Sequence, residues 1–248
     1  MKLNQQNIPG IFNDVIGPIM RGPSSSHTAA SWRAAKTCMD ILNEPLKKAI
    51  IDFDKDGAWA SNYREQGTSL GIEGGLLGLE MTDDRMKNTE LVANELGISI
   101  HYEINSFKTN HVNTFRLLLE GINGKNIKVV AISIGGGSFE IQNIDGFEVK
   151  ICGDFYELCL FNSSKETGLE ELKSMFPQSK SIVESFNSDK RLINMKFSKE
   201  VSDETIEKLK RIVSFDELII TKPVLPIVAG NESELPFTSV ASLLEFAE

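Results

Sequence analysis

Apolar positions repeat with two different periods along the chain, and those periods predict its elements. From Ser26 to about Asn43, Ala35, Cys38, Met39 and Leu42 recur at i, i+3, i+4 and i+7, the spacing of an amphipathic helix, with serines just ahead to supply its N-cap. Over 49–54, Ile51 and Phe53 alternate with Asp52 and Asp54, which predicts a short strand. GTSLGIEGGLLGL, 67–79, reads as a second helix carrying Gly71, Gly74, Gly75 and Gly78 inside it. An interior glycine costs about 1 kcal/mol against alanine, so this cluster implies close backbone approach by another helix. A third helix is predicted at 83–96, stopped by Gly97, before a strand in which Ile98, Ile100, Tyr102 and Ile104 alternate with polar residues, His101 among them. NTFRLLLE and NIKVVAISI flank the Asn-Gly of GINGK, a strong hairpin signal. Beyond Gly135-Gly136-Gly137, SFEIQNI and FEVKI form a further hairpin across Asp145-Gly146.

The order then changes. YELCLFN, TGLEELKSMF, KSIVESFNS, RLINMKFS, SDETIEKLKRIV and DELIITKP read as strand, helix, two strands, helix and strand, the βαββαβ order of ferredoxin-like units. The expected class is therefore α+β. A first domain with helices and a mainly antiparallel sheet covers 1–150, a small second domain covers 154–223, and a tail with a short helix covers 224–248.

Composition narrows the function classes. The 248 residues are 41% hydrophobic and 25% charged, ordinary for a globular protein. A net charge of -9 argues against nucleic acid as a main partner, since that affinity rests on Lys and Arg neutralising phosphates. No stretch approaches the roughly 20 apolar residues of a membrane span, and the first twenty residues do not form a signal peptide, so a cytoplasmic location is expected. Cys38, Cys152 and Cys159 are odd in number and contain no Cys-x-x-Cys pair. Neither a disulfide framework nor a metal site is expected on this chain; all three read as small core residues.

Three stretches could carry chemistry. GPSSSHTAAS, 22–31, places Ser24, Ser25, Ser26, His27 and Thr28 at a helix N-terminus, where unpaired N–H groups and the helix dipole favour an anion. A cap needs one such side chain, and five polar ones suggest binding or catalysis, with His27 available as donor, acid or base. A hydrolase is disfavoured because Ser26 and His27 are sequence neighbours and no Gly-x-Ser-x-Gly occurs. NHVNT, 110–114, leads His111, Asn113 and Thr114 into a strand, and a surface or structural role for that histidine is the alternative. SIGGGSFE, 133–140, lacks the helix a phosphate loop needs and reads as a tight turn or bulge at least as well.

Taken together and in order, DVIGPIMRGPSSSHTA, GGLLGLEMTDDR, HVNT and SIGGGSFEI resemble the signatures of the beta subunit of the iron–sulfur-dependent L-serine dehydratase, over residues 14 to about 150. The resemblance implies an allosteric-substrate-binding-type domain followed by an ACT domain. It implies a [4Fe-4S] cluster on a partner alpha subunit or fused catalytic domain, a dimeric or higher assembly, and conversion of L-serine through aminoacrylate to pyruvate and ammonia. Carried over residue by residue, it implies Ser24, Ser25, Ser26, Thr28, Thr68, Asn113 and Thr114 near substrate, His27 and His111 as the catalytic histidines, and no metal ligand on this chain.

Two departures from the pattern bear on activity. Where the family has Gly-His-Gly-Thr-Asp, this chain has Glu65-Gln66-Gly67-Thr68-Ser69, and glutamine cannot exchange a proton near neutral pH. The ACT ligand turn Asp-x-Pro-Gly is replaced by Ser164-Lys165-Glu166-Thr167-Gly168, which keeps only the glycine. The expected function is thus a dehydratase beta subunit, inactive without its partner, or a catalytically degenerate amino-acid-binding regulator of the same fold. LPFTSVASLLEFAE, at the end of the chain, resembles the opening helix of the family's catalytic subunit and reads equally as an amphipathic helix.

Overall fold

In a computed structural model, residues 19–164, 166–225 and Leu244 are described. The readings of the first eighteen residues and of most of the 224–248 tail lie outside them. The first sheet has six strands in the order β2-β1-β3-β4-β5-β6: β1 (Leu46–Asp54), β2 (Ser99–Asn105), β3 (Thr114–Gly121), β4 (Asn126–Gly135), β5 (Ser138–Ile144) and β6 (Phe147–Ile151). The sheet is mixed: β1 and β2 run parallel, and every other neighbouring pair is antiparallel. Parallel neighbours need a long crossover, and here it carries α2 (Thr68–Leu76) and α3 (Thr89–Leu96).

Helix α1 (Ala30–Leu42) packs Ala34, Ala35, Cys38, Ile41 and Leu42 into one core with Ile51, Phe53, Phe115, Leu117, Val129 and Phe139 of the sheet. The glycines of α2 let it lie directly on α1. A Cβ on Gly71 would strike Ser31 Oγ and the Thr28 carbonyl, and one on Gly75 would meet the Trp32 carbonyl at 2.5 Å. The predicted third helix is split. Asp83 accepts the Arg85 N–H at 2.8 Å and starts a tight 3₁₀ turn at Asp84–Asn88, and only Thr89–Leu96 is α-helical. Gly135, Gly136 and Gly137 all have positive φ, +94°, +62° and +87°, so SIGGGSFE is a strand-to-strand turn that only glycines enter freely.

The second sheet runs β10-β7-β9-β8, all antiparallel, built from β7 (Tyr156–Phe161), β8 (Ser181–Asn187), β9 (Lys190–Phe197) and β10 (Glu217–Thr221). Helices α4 (Leu169–Met175) and α5 (Asp203–Ile212) complete the βαββαβ order. Alternation along β7 explains its unbroken apolar run: Leu158 and Leu160 pack with Leu172, Phe176 and Leu209, while Cys159 and Phe161 join the core of the first sheet. Arg33, almost fully buried, spans the same seam. Its guanidinium donates to the carbonyls of Val224 (2.6 Å) and Gly137 (3.0 Å), and lies 3.6 Å from Asp154. Cys38 and Cys159 are fully buried as expected, whereas Cys152 is only half-buried. No helix among the described residues is long and apolar enough to cross a membrane.

Candidate functional site

The serine loop enters α1 through a wide π-helical turn, Ser25–Ala29, in which the Ala30 N–H reaches the Ser25 carbonyl. Such turns recur at functional sites. The serines do not cap the helix in the expected way. Ser24 has the extended backbone of an N-cap, but its hydroxyl makes no cap bond. The Ser24 carbonyl instead accepts the N–H groups of Thr28 (2.7 Å) and His27 (3.3 Å), so fewer donors remain for an anion than the hydroxyl count suggests. The hydroxyls serve the imidazole: Ser24 Oγ lies 3.0 Å and Ser26 Oγ 3.3 Å from His27 Nδ1, with 3.2 Å between the two oxygens.

The neighbouring segments close around this loop. Thr28 is fully buried and donates its hydroxyl to the Gln66 carbonyl at 3.2 Å. It is wedged between Gly22 and Gly67, where an added Cβ would meet its Oγ1. Ser31 Oγ donates to the Thr68 carbonyl at 3.1 Å, fixing the start of α2. Gln66 is therefore joined to the serine loop through its own main chain. On the other side Ser133, fully buried in β4, donates its hydroxyl to the Ser26 carbonyl at 2.6 Å and its N–H to the Asn113 carbonyl at 3.1 Å. The HVNT turn is thereby tied to the serine loop through one residue, whose main chain holds the turn and whose side chain holds the loop.

Within that turn, His111 Nδ1 accepts the Asn113 N–H at 3.1 Å, which requires that nitrogen to be unprotonated. Thr114 Oγ1 donates to the His111 carbonyl at 2.5 Å and pairs closely with Thr109 Oγ1, so it shapes the turn. Asn113 Nδ2 reaches the Ser133 carbonyl at 3.4 Å. Ser25 is half-buried beside its neighbours. The structure thus brings the loops carrying Ser24, Ser25, Ser26, His27, Thr28, Thr68, His111, Asn113 and Thr114 to one end of the first sheet.

The segment between β1 and α2 carries no periodic pattern in the sequence. Trp59 lies there, 1% exposed, with its ring 5.5 Å from that of His27 and 5.0 Å from that of Phe115. Asn62 follows one turn later, its N–H donating to the Trp59 carbonyl at 3.1 Å. An indole and a carboxamide inside an otherwise polar loop, DKDGAWASNYREQG, were the available signal. Burial lowers the His27 pKa below its ordinary 6.5, and the Asn62 side chain opposes that shift in part. The imidazole is therefore mainly neutral near pH 7.

Buried polar side-chain atoms are hydrogen-bonded in the great majority of cases, and each exception calls for a reason. His27 Nε2, Trp59 Nε1, Asn62 Oδ1 and Thr68 Oγ1 are all buried without a hydrogen-bond partner, as is Asp54 Oδ1 at the end of β1. All five belong to the serine loop or to the chain between β1 and the first residue of α2. Val112 and Ile134, the chain neighbours of Asn113 and Ser133, are exposed apolar residues, 62% and 51% exposed. Among the described residues no group of three or more His, Cys, Asp or Glu could hold a metal ion. Burial also pushes the thiols of Cys152 and Cys159 up to about 11 and about 12, far from the thiolate form that binds iron.

Searched against models of known families, the chain matches none. Individual proteins do match. A Bacillus subtilis protein named "Probable L-serine dehydratase, beta chain" is 33% identical over 152 residues, 61% of this chain and 68% of that protein. "L-serine dehydratase, beta chain" of Peptoniphilus asaccharolyticus is 30% identical over 203 residues, 81% of this chain and 90% of that one. With the serine loop, the glycine-rich helix and the HVNT turn now joined in one site, this chain belongs to the L-serine dehydratase beta chain family.

Proposed function

We propose that the chain is the beta subunit of an L-serine dehydratase, an L-serine ammonia-lyase that forms pyruvate and ammonia together with an alpha subunit. Similarity to two L-serine dehydratase beta chains over most of the chain carries this reading. A [4Fe-4S] cluster is assigned to the alpha subunit, because among the described residues no group of three or more His, Cys, Asp or Glu could hold a metal and burial keeps the three thiols of this chain neutral. The task of this chain is then to present a desolvated, neutral His27 and its serine hydroxyls at the subunit junction. The Ser25 hydroxyl can donate to a substrate carboxylate while those of Ser24 and Ser26 hold the imidazole, and the unpartnered atoms of Trp59 and Thr68 supply further polar contacts. Thr28, Asn113 and Thr114 act one step back, by holding the loops. The exposed apolar residues Val112 and Ile134 are where the alpha subunit would make contact. The βαββαβ unit is read as an ACT domain without an amino-acid ligand turn, and the assembly as cytoplasmic and at least dimeric.

A second reading is a non-catalytic amino-acid-binding regulator: Gln66, where the resemblance implies a histidine, adjoins the loop through its carbonyl. Co-purification with a cysteine-bearing alpha chain, combined with calorimetry of L-serine on the chain alone, separates the two. The first reading expects a stable complex that releases pyruvate. Serine binding by the chain alone, with a complex silent until Gln66→His is introduced, would select the second.

A further inference from the structure

We propose that the outer edge of β2 is a docking surface for a second copy of this chain, which adds its own β2 antiparallel and joins two six-stranded sheets into one. Strand β2 ends the first sheet and, among the described residues, pairs only with β1. Exposed sheet edges invite further strands, and proteins that stay apart blunt them with lysine, proline, bulges or short length. SIHYEIN contains neither lysine nor proline, keeps an unbroken seven-residue register with β1, and leaves Ile104 49% exposed.

The main chain sets which residues face outward. The Asn105 carbonyl accepts the Lys55 N–H at 2.9 Å, so it faces β1. Groups that face one neighbour alternate along a strand, which turns those of Ser99, His101 and Glu103 to β1 as well and those of Ile100, Tyr102 and Ile104 to the open edge. A two-fold axis at Tyr102 then matches every outward group: Tyr102 exchanges both main-chain bonds with its own copy, and Ile100 does so with Ile104 on either side.

The side chains agree with that register. On the face toward α2, where the Tyr102 hydroxyl donates to Glu73 at 2.7 Å, Ile104 of each copy would be covered by Ile100 of the other. On the opposite face exposed His101 would stand against exposed Glu103 of the second copy, at the non-hydrogen-bonded positions where side chains approach most closely. A ring N–H donates to a carboxylate whether the imidazole is neutral or charged. The edge is thus complementary to itself in charge and in apolar contact, as an isologous interface requires. The proposal rests on the reading above only in giving the proposed assembly its two-fold contact, and it is tested on the chain alone.

Sedimentation velocity of the full-length chain over a range of concentrations is expected to show a monomer–dimer equilibrium. His101→Glu sets carboxylates against each other in both cross-strand pairs and should weaken the dimer roughly tenfold. Adding Glu103→Lys to that variant restores opposite charges and should recover the dimer, a rescue that general surface charge would not give. Amide hydrogen exchange on the wild type locates the contact, since the N–H groups of Ile100, Tyr102 and Ile104 should gain protection as concentration rises. A monomer at every concentration, a dimer that His101→Glu leaves unchanged, or protection of these amides that appears only on adding an alpha chain would overturn the proposal. If the variants fail to fold, the wild-type amides still decide. A reconstituted complex that releases no pyruvate would count against the dehydratase reading and leave the chain dimer standing, whereas an active complex built on a monomeric chain would remove the dimer alone.

Discussion

A few side chains carry both the stability and the chemistry of the serine loop. Ser133 donates to the Ser26 carbonyl and joins two loops, so Ser133→Ala leaves that carbonyl short of a partner. A loss of about 1–3 kcal/mol is expected from orphaning a buried group, read as a lower urea midpoint at unchanged slope. His27 gives the protein a defined response to acid. Its pKa is lower in the folded state than in the unfolded chain, so the unfolded state binds the extra proton first. The stability is complete above the unfolded value of 6.5 and declines as pH falls toward the lowered folded value. Urea midpoints measured across this range should fall less steeply in His27→Gln than in the wild type. At this scale the sequence was legible in part. Five polar residues in a row announced the loop, but nothing in the pattern revealed that its hydroxyls turn to His27 rather than cap the helix. Trp59 and Asn62 were missed because an aperiodic loop leaves no pattern to read, and only the fold brings them to the imidazole.

The elements were more legible, because their signals are local. The glycines of α2 implied a close helix neighbour, and α1 is that neighbour. Gly71→Ala should therefore destabilise the protein despite alanine's higher helix propensity, since its Cβ would meet backbone and Ser31 rather than a flexible chain end. Overpacking of this kind costs about 1–3 kcal/mol, more than the roughly 1 kcal/mol that propensity returns, and a lowered thermal midpoint would show it. The hairpins followed from their Asn-Gly and Asp-Gly turns. Less legible were the split of the third helix, which depends on the local bond between Asp83 and Arg85, and the parallel pairing of β1 with β2. That pairing is settled by partners about 50 residues apart and by the helical crossover between them, neither of which hydrophobic alternation encodes.

At the scale of the whole molecule, the two sheets share apolar core at Cys159, Phe161, Leu192 and Ile219, and Arg33 fastens the seam. Arg33→Met should strand carbonyls at Gly137 and Val224 and lower stability by about 2–3 kcal/mol, with early loss of amide protection around both residues in hydrogen exchange. Because Arg33 stands six residues beyond His27 on the helix that the serine loop opens, the same variant should also loosen the site. The βαββαβ order could be read from the sequence, whereas the seam could not, since it depends on which face of β7 meets the first sheet. The central claim is that this chain completes a dehydratase that its partner cannot form alone. It is tested most directly by serine-dependent pyruvate formation in the anaerobically reconstituted complex, compared with each chain by itself. Pyruvate should appear only when both chains are present, and His27→Gln should slow it by about a hundredfold or more, the scale of one acid–base group. An equal rate from the partner without this chain would contradict the account.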